Sequence, residues 1–282
     1  MKKKFENIVI ASDIDGTFLG SGSRMIPRNL DKIQYFKDNG GHFTFATGRL
    51  PIFMRKSLPN AKEITNMPAI TGNGTCLYDF QNERSIEDIF LTPELGMELI
   101  RFSKTLADGI GFRGCVSDGF VISDVNNIYQ RREYEIFPNF MNKRILPFDE
   151  WNTLDVYKIN IMHDEDTLKY MYPILREKFA DKMTVSRAGF YAIEVMPFAT
   201  GKAKMLRRAV DERFGDGVVL CTVGDYDNDL EMHSIADIAV CPQNANDAVK
   251  NVCKLCLCDH NDGVVADLID YLDCKITEGL QI

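Results

Sequence analysis

The sequence has no long apolar run and no block of positive charge beyond its first residues, and both absences exclude classes of protein. No apolar stretch approaches the roughly 20 residues that a membrane-spanning helix needs. The chain has 33 Lys and Arg against 41 Asp and Glu, which gives a formal net charge of −8. It therefore lacks the basic surface that nucleic acid or anionic lipid requires. We expect neither a nucleic acid nor a membrane as partner.

The N-terminal lysines precede a short apolar run, Ile8–Ala11, in an order that resembles a secretory leader. The run is too short for the apolar part of a leader, and it stops at Asp13. We therefore expect the protein to stay in the cytoplasm, as a monomer or a small homo-oligomer.

The eight cysteines are scattered, and a chain of this length does not need disulfides, so we expect most of them to be reduced and buried. The spacing of Cys253, Cys256 and Cys258 also raises the alternative of a zinc site. A structural zinc site needs a second pair of ligands, and only His260 is near. Because Cys256 and Cys258 alternate with leucines, we predict a strand here and no bound metal.

Short apolar runs alternate with segments of helical periodicity, a rhythm typical of a doubly wound α/β fold with a parallel sheet. The run Ile8–Ala11 predicts a buried central strand, and further strands are predicted at His42–Ala46 and Val218–Val223. Between residues 83 and 196 the pattern changes to paired strands with short turns, which predicts an antiparallel sheet with helices on one face. We therefore predict a Rossmann-like core from residues 1–82 and 197–282, interrupted by an inserted α+β cap domain at 83–196.

Polar residues follow the predicted core strands where their carboxyl ends should meet. The first strand leads into Asp13-Ile14-Asp15-Gly16-Thr17, the second into Thr47-Gly48-Arg49, and Val218–Val223 into Gly224-Asp225-Tyr226-Asp227-Asn228-Asp229. Lys202 opens the helix after the insertion. Crowded carboxylates require a cation, and oxygen ligands without His or Cys favour Mg²⁺. Lys202, the Thr47 hydroxyl and helix N-terminal amides suit a phosphoryl group, so the set points to phosphoryl transfer.

These four segments, in this order, resemble the motifs of the haloacid dehalogenase-like hydrolases. Ile70-Thr71-Gly72-Asn73-Gly74 and Glu194-Val195-Met196-Pro197 are similar to stretches of the Cof-type subfamily. The resemblance covers nearly the whole chain, and the insertion sits where that subfamily carries its large C2B cap. The chain departs from the family pattern at Val240–Ala245 and at Lys202-Ala203, neither of which changes a catalytic side chain.

The resemblance implies a role for each residue. Asp13 would be the nucleophile that forms an aspartyl-phosphate, and Asp15 would protonate the leaving group and then activate water. Asp13, the carbonyl of Asp15 and Asp225 would hold Mg²⁺, with Asp229 supporting them. The phosphoryl oxygens would be held by the remaining motif residues: Thr47, Lys202, Asn228 and the amides of Ile14 and Gly48.

The substrate implied is a small phosphorylated metabolite, with sugar phosphates the commonest class. We expect the inserted domain to act as a lid that selects the substrate, with Arg187, Tyr191 and Glu194 as candidate contacts. Two alternatives stay open. A sugar phosphomutase would share the chemistry up to the aspartyl-phosphate, and a catalytically inactive binding or regulatory module could use the same fold. A P-loop is excluded, because Met196 and Ala203 stand where that motif needs Gly and Ser or Thr.

Overall fold

The computed structural model describes residues 3–137, 141–188, 191–198, 200–215 and 217–280. The chain forms two compact units. One comprises Met1–Arg49, Met54–Glu87 and Gly201–Ile282, and the other Leu50–Phe53 and Asp88–Thr200. We call them the core unit and the inserted unit. Within the described ranges, no helix combines the length and apolar character needed to cross a bilayer.

The core unit is built on a parallel sheet, as its β-branched, fully apolar strands predict. Its strands are β1 (Ile8–Ser12), β2 (His42–Phe45), β12 (Val219–Val223), β13 (Ile238–Cys241) and β14 (Leu255–Cys256), in the order β14-β13-β12-β1-β2. All four pairings are parallel. This confirms the doubly wound α/β class. Ser12 pairs with both Val223 and Phe45, so these three strands end level with one another at the point where the strand order reverses.

The other elements of the core unit are helices and a small three-stranded sheet. The helices are α1 (Pro27–Asp38), α2 (Pro51–Met54, most of which belongs to the inserted unit), α3 (Ala61–Ile64), α7 (Lys202–Phe214), α8 (Leu230–Ser234), α9 (Asp247–Val252) and α10 (Val264–Thr277). The small sheet contains β3 (Ala69–Thr71), β4 (Cys76–Asp79) and β5 (Arg84–Asp88). Leu268 and Leu272 of α10 pack with Ile33 and Phe36 of α1 in a core that also contains Ile10 of the central strand.

The inserted unit contains a six-stranded sheet of its own. Its elements are α4 (Pro93–Ser103), β6 (Gly111–Val116), β7 (Gly119–Ile122), α5 (Ile128–Ile136), β8 (Asn142–Ile145), β9 (Lys158–Met162), α6 (Glu165–Lys178), β10 (Met183–Ala188) and β11 (Ala192–Pro197). The strand order is β10-β11-β9-β6-β7-β8. The sheet is antiparallel except for β7 and β8, which pair in parallel. The prediction of an antiparallel sheet is therefore confirmed for the first five strands and wrong for β8, which is polar and gives no strand signal.

The two faces of this sheet differ in polarity. Ile159, Ile161 and Val195 belong to an apolar cluster that includes Leu99 of α4 and Leu168 of α6. The alternate positions on the same strands carry Lys158, Asn160 and Glu194, which are also buried. The face without α4 and α6 therefore carries a buried polar cluster of these three side chains.

Candidate active site

The turn after β1 carries the first group of predicted site residues. Asp13 is 6% exposed, and its backbone N–H donates to the Val223 carbonyl at 2.8 Å. Gly16 has φ +75°, and a Cβ at this position would lie 2.4 Å from Oδ2 of Asp225. The Thr17 hydroxyl donates to Asp225 Oδ1 at 2.7 Å. Only glycine fits the turn at residue 16, and the turn brings the residues after β1 against those after β12.

Three carboxylates and one ammonium group form the centre of the site. Asp13, Asp225 and Asp229 each present an oxygen within 4.8 Å of the others. Lys202 Nζ donates to Asp13 Oδ1 at 2.6 Å and to Asp229 Oδ1 at 2.7 Å. Lys202 is 2% exposed, so this ammonium group is held almost entirely by its carboxylate partners. The structure thus brings together the predicted residues after β1 and β12 and at the start of α7.

The charges in this cluster do not balance. Burial raises the pKa of Asp13 well above its usual range; the charge of Lys202 opposes the shift, and the neighbouring carboxylates add to it. Burial also raises the pKa of Asp225 to about 6, although the Thr17 hydrogen bond counteracts it. Burial alone would lower the pKa of Lys202, but its two carboxylate partners outweigh it and leave that pKa raised. The cluster therefore holds more negative charge than Lys202 offsets, which favours a further cation.

Both oxygens of Asp229 are engaged within the protein. Oδ1 accepts from Lys202, and Oδ2 accepts from the backbone N–H groups of Asp225 at 3.0 Å and Tyr226 at 3.2 Å. Asp229 therefore fixes both the lysine and the backbone that carries Asp225. The donor set of carboxylates, without His or Cys, is the kind that Mg²⁺ prefers, so the residues fit that ion.

The second strand brings its polar residues to the same edge. Thr47 is 1% exposed, and its backbone N–H donates to the Ile70 carbonyl at 2.8 Å. Gly48 follows it, and the carboxamide of Asn73 lies against the Gly48 Cα. Asn228 Nδ2 donates to Asn73 Oδ1 at 3.3 Å. Ile14, the remaining residue predicted to bind phosphate, is fully buried between Asp13 and Asp15.

Asp15 has a partner that the sequence analysis did not identify. Arg49 Nε donates to Asp15 Oδ2 at 2.7 Å, and Arg49 Nη2 contacts the other oxygen, so the pair is bidentate. Arg49 Nη1 also contacts the Ser57 hydroxyl. Arginine matches a carboxylate in this two-point geometry. The Thr-Gly-Arg segment was noted in the sequence, but nothing there indicated that its arginine would orient Asp15.

The loop after β13 also contacts the site through residues to which no role was assigned. Asn244 Nδ2 donates to the Gly16 carbonyl at 2.8 Å, and the Asn246 N–H donates to the Asp225 carbonyl at 3.1 Å. The departure from the family pattern at Val240–Ala245 thus spans the end of β13 and the start of a loop that supports the turns carrying Asp13 and Asp225.

The three candidate specificity residues lie in the inserted unit and have different environments. Glu194 is 7% exposed; it forms an ion pair with Lys158 and accepts from Asn160 Nδ2 at 3.0 Å. Burial alone would raise the pKa of Glu194, but Lys158, Asn160 and Arg113 together outweigh this and lower it. Tyr191 is 62% exposed, and the Arg132 guanidinium lies 4.8 Å from its ring centroid. Arg187 is half-buried on β10. Of the three, only Tyr191 is an open surface side chain.

Comparison with known proteins identifies the family of the chain. A model of the haloacid dehalogenase-like hydrolase family matches residues 10–269. A 5-amino-6-(5-phospho-D-ribitylamino)uracil phosphatase of Bacillus subtilis is 23% identical, over 93% of this chain and 97% of its own. A pyridoxal phosphate phosphatase of Escherichia coli is also 23% identical, again over 93% and 97%. The crystal structure of a haloacid dehalogenase-like hydrolase from Bacteroides thetaiotaomicron superimposes with a TM-score of 0.78 at 22% identity, covering 94% of this chain and 99% of that one.

Proposed function

The chain belongs to the haloacid dehalogenase-like hydrolases, and from this premise we propose that it is a Mg²⁺-dependent phosphatase. Its substrates are small phosphorylated metabolites, with sugar phosphates the first class to test, and the reaction passes through an aspartyl-phosphate on Asp13. The observation that carries the proposal is the buried Lys202 that joins Asp13 to Asp229 beside Asp225, at the level ends of β1 and β12.

In the first step a carboxylate oxygen of Asp13 forms a bond to phosphorus while the bond from phosphorus to the leaving oxygen breaks. Lys202 fixes the Asp13 carboxylate through its 2.6 Å hydrogen bond, which limits the rotation of the nucleophile. Asp15 gives a proton to the departing oxygen and then takes one from the water that attacks the aspartyl-phosphate. Arg49 holds the Asp15 carboxylate in one orientation for both proton transfers.

The phosphoryl oxygens are held by the Thr47 hydroxyl, Lys202, Asn228 and the amides of Ile14 and Gly48. Asp13, the Asp15 carbonyl and Asp225 would hold Mg²⁺, while Asp229 keeps Asp225 and Lys202 in place. The ion would supply positive charge that offsets the charge on the phosphoryl oxygens. The raised pKa values of Asp13 and Asp225 support this assignment, since they indicate a cluster with excess negative charge.

The names of the relatives widen the set of substrates to test. One relative is named for a phosphorylated ribitylaminouracil and another for pyridoxal phosphate, and both compounds carry a phosphate on a small polar molecule. We therefore include them beside the sugar phosphates. The inserted unit, with Arg187, Tyr191 and Glu194, is our candidate for the part that distinguishes among these compounds.

The test is a screen of phosphorylated metabolites for phosphate release, with and without Mg²⁺, for the wild type and Asp13→Asn. The amide keeps the shape of the side chain but removes the attacking charge, so turnover should fall more than about a thousandfold. Near-normal turnover in Asp13→Asn would contradict the assignment of Asp13 as the nucleophile. Product analysis with a hexose bisphosphate activator separates hydrolysis from transfer to a sugar hydroxyl.

A further inference from the structure

The turn between β3 and β4 holds its backbone in a conformation that favours glycine. Gly72, Asn73 and Gly74 have φ angles of +59°, +57° and +88°. Asparagine tolerates the left-handed region better than most side chains, but glycine does so at no steric cost. The turn has glycine on both sides of residue 73 and a buried carboxamide, 6% exposed, in the middle. The backbone does not require this side chain, so its use must lie in what it contacts.

The backbone of this turn is joined to the segment after β2. The Asn73 N–H donates to the Thr47 carbonyl at 2.9 Å, and the Gly72 N–H donates to the Arg49 carbonyl at 2.9 Å. The carboxamide of Asn73 lies so close to Gly48 that a Cβ on Gly48 would sit 3.1 Å from Asn73 Nδ2. The turn therefore sets the position of the backbone that bears the Thr47 hydroxyl and the Gly48 amide.

The same turn touches two of the three other segments expected to hold phosphoryl oxygens. A Cβ on Gly74 would lie 2.3 Å from the carbonyl oxygen of Gly201, so the turn packs directly on the residue before Lys202. Asn73 Oδ1 accepts a hydrogen bond from Asn228 Nδ2. This bond turns the NH₂ group of the Asn228 carboxamide towards Asn73, and so orients Asn228.

We propose that Asn73 is a positioning residue of the phosphoryl site, which orients Asn228 through its side chain and the Thr47-Gly48 backbone through its own amide. The inference rests on the proposed function, because it concerns the groups that would bind the phosphoryl oxygens. It predicts that loss of the Asn73 carboxamide weakens phosphate binding through Asn228 and leaves the fold intact.

The test compares Asn73→Gly, Asn228→Ala and the double variant in the full chain, with inorganic phosphate and Mg²⁺ as the probe. Glycine suits a φ of +57°, so Asn73→Gly removes the carboxamide without straining the turn. The matched control is Glu83→Gly, since Glu83 is an exposed residue with φ +52° in the turn between β4 and β5 of the same small sheet. Asn73→Ser, whose side chain is too short to replace the contact with Asn228, provides the same comparison if Asn73→Gly does not fold.

Asn73→Gly and Asn228→Ala should each raise the Kd of inorganic phosphate and the KM for an aryl phosphate about tenfold, with kcat changed less than about threefold. If Asn73 acts through Asn228, the double variant should be no more than about twofold worse than the poorer single variant. Glu83→Gly should match the wild type. Losses that multiply in the double variant, or an Asn73→Gly that matches Glu83→Gly, would overturn the inference alone. A wild type that neither hydrolyses aryl phosphates nor binds phosphate would overturn the proposed function with it.

Discussion

At the scale of single residues, the fold keeps the carboxylates of the cluster close together although their charges repel one another. Asp13 and Asp229 share one buried ammonium group, and the Asp225 carboxylate lies beside them. A carboxyl group whose pKa is higher in the folded than in the unfolded protein destabilises the fold at every pH where it is ionised. The pKa of Asp225 is raised to about 6. The loss of folding stability is therefore fully present above pH 6, and it disappears as the pH falls towards the usual pKa of an aspartate.

The first prediction follows from that sign. In protein freed of metal by EDTA, Asp225→Asn should raise the thermal midpoint at pH 7.5 by about 3–6 °C, with little gain near pH 4. Added Mg²⁺ should stabilise the wild type, and the same substitution should abolish that stabilisation, because it removes a proposed ligand. Thermal melts at both pH values measure this, with Asp227→Asn as a control that removes one exposed charge nearby. A lower midpoint in the metal-free variant would contradict the account of the cluster.

A second prediction concerns Asp15, whose carboxylate is half open to solvent and paired with Arg49. Asp15→Asn should lose roughly 10²–10⁴ in turnover on an alkyl phosphate, whose leaving oxygen needs a proton. The phosphorylation step should lose less with p-nitrophenyl phosphate, because its leaving group departs without protonation. Burst kinetics on both substrates make the comparison. An equal loss in the two bursts would argue against the acid role and leave Asp15 as a merely structural partner of Arg49.

The sequence predicted which residues would lie together where their chemistry and their position after a strand agreed. Asp13 and Lys202 are far apart in the chain, but the carboxyl ends of parallel strands and the start of the following helix must converge. The sequence analysis did not identify the roles of Arg49 and Asn73, because each role depends on one specific contact. Arg49 contacts Asp15, and Asn73 contacts Asn228. Contacts of that kind depend on side-chain geometry, which neither periodicity nor composition encodes.

At the scale of secondary structure, apolar strands were predicted and polar ones were missed. The runs at Ile8–Ala11 and Val218–Val223 form β1 and β12 almost as expected. In contrast, β8 contains Asn142, Lys143 and Arg144, and it is held by contacts with a residue outside the strand. The Asn142 N–H donates to the Asp118 carbonyl at 2.9 Å, and Arg144 pairs with the Asp118 carboxylate. A strand of this kind depends on its neighbours for stability, so its own sequence carries no signal.

The cysteine-rich segment gives the prediction at this scale. Leu255 and Cys256 form the edge strand β14, where Cys256 pairs with Cys241 in register, while Cys253 ends α9 and Cys258 lies beyond the strand. The prediction of a strand is therefore confirmed for Cys256 and wrong for Cys258. Burial and the neighbouring Asp267 carboxylate raise the pKa of Cys258 to about 12. Zinc binds the thiolate, so a raised pKa disfavours it.

We therefore expect purified protein to contain much less than one zinc per chain, measured by elemental analysis after exchange into chelator-free buffer. Cys256→Ser should leave the metal content and the thermal midpoint nearly unchanged, since this side chain is exposed at the sheet edge. Stoichiometric zinc that disappears in Cys256→Ser would show that these thiols are ligands.

At the scale of the whole molecule, each unit has its own apolar core. Phe43, Cys221 and Leu268 belong to the core of one, and Phe112, Ile161 and Leu175 to that of the other. Such units can fold separately, because the apolar surface that each buries comes from within it. Glu87, the last residue of the core unit before the insertion, pairs with Arg208 of α7, which begins just after the insertion. A short linker can therefore replace Asp88–Thr200, the main part of the inserted unit.

The last prediction is that replacement of residues 88–200 by about eight Gly and Ser residues leaves a folded core unit with altered substrate preference. Such a linker spans about 15 Å on average. The shortened protein should still release phosphate from a small aryl phosphate in the presence of Mg²⁺, because all of the proposed catalytic residues lie in the core unit. Its preference for the best metabolite over the aryl phosphate should fall by roughly tens- to hundreds-fold, because the groups that recognise the rest of the substrate would be gone. Tyr191→Ala in the full chain tests the same idea without deletion, since that side chain is exposed. If both variants fold and keep the wild-type ratio of the two activities, the inserted unit is not the part of the molecule that chooses the substrate.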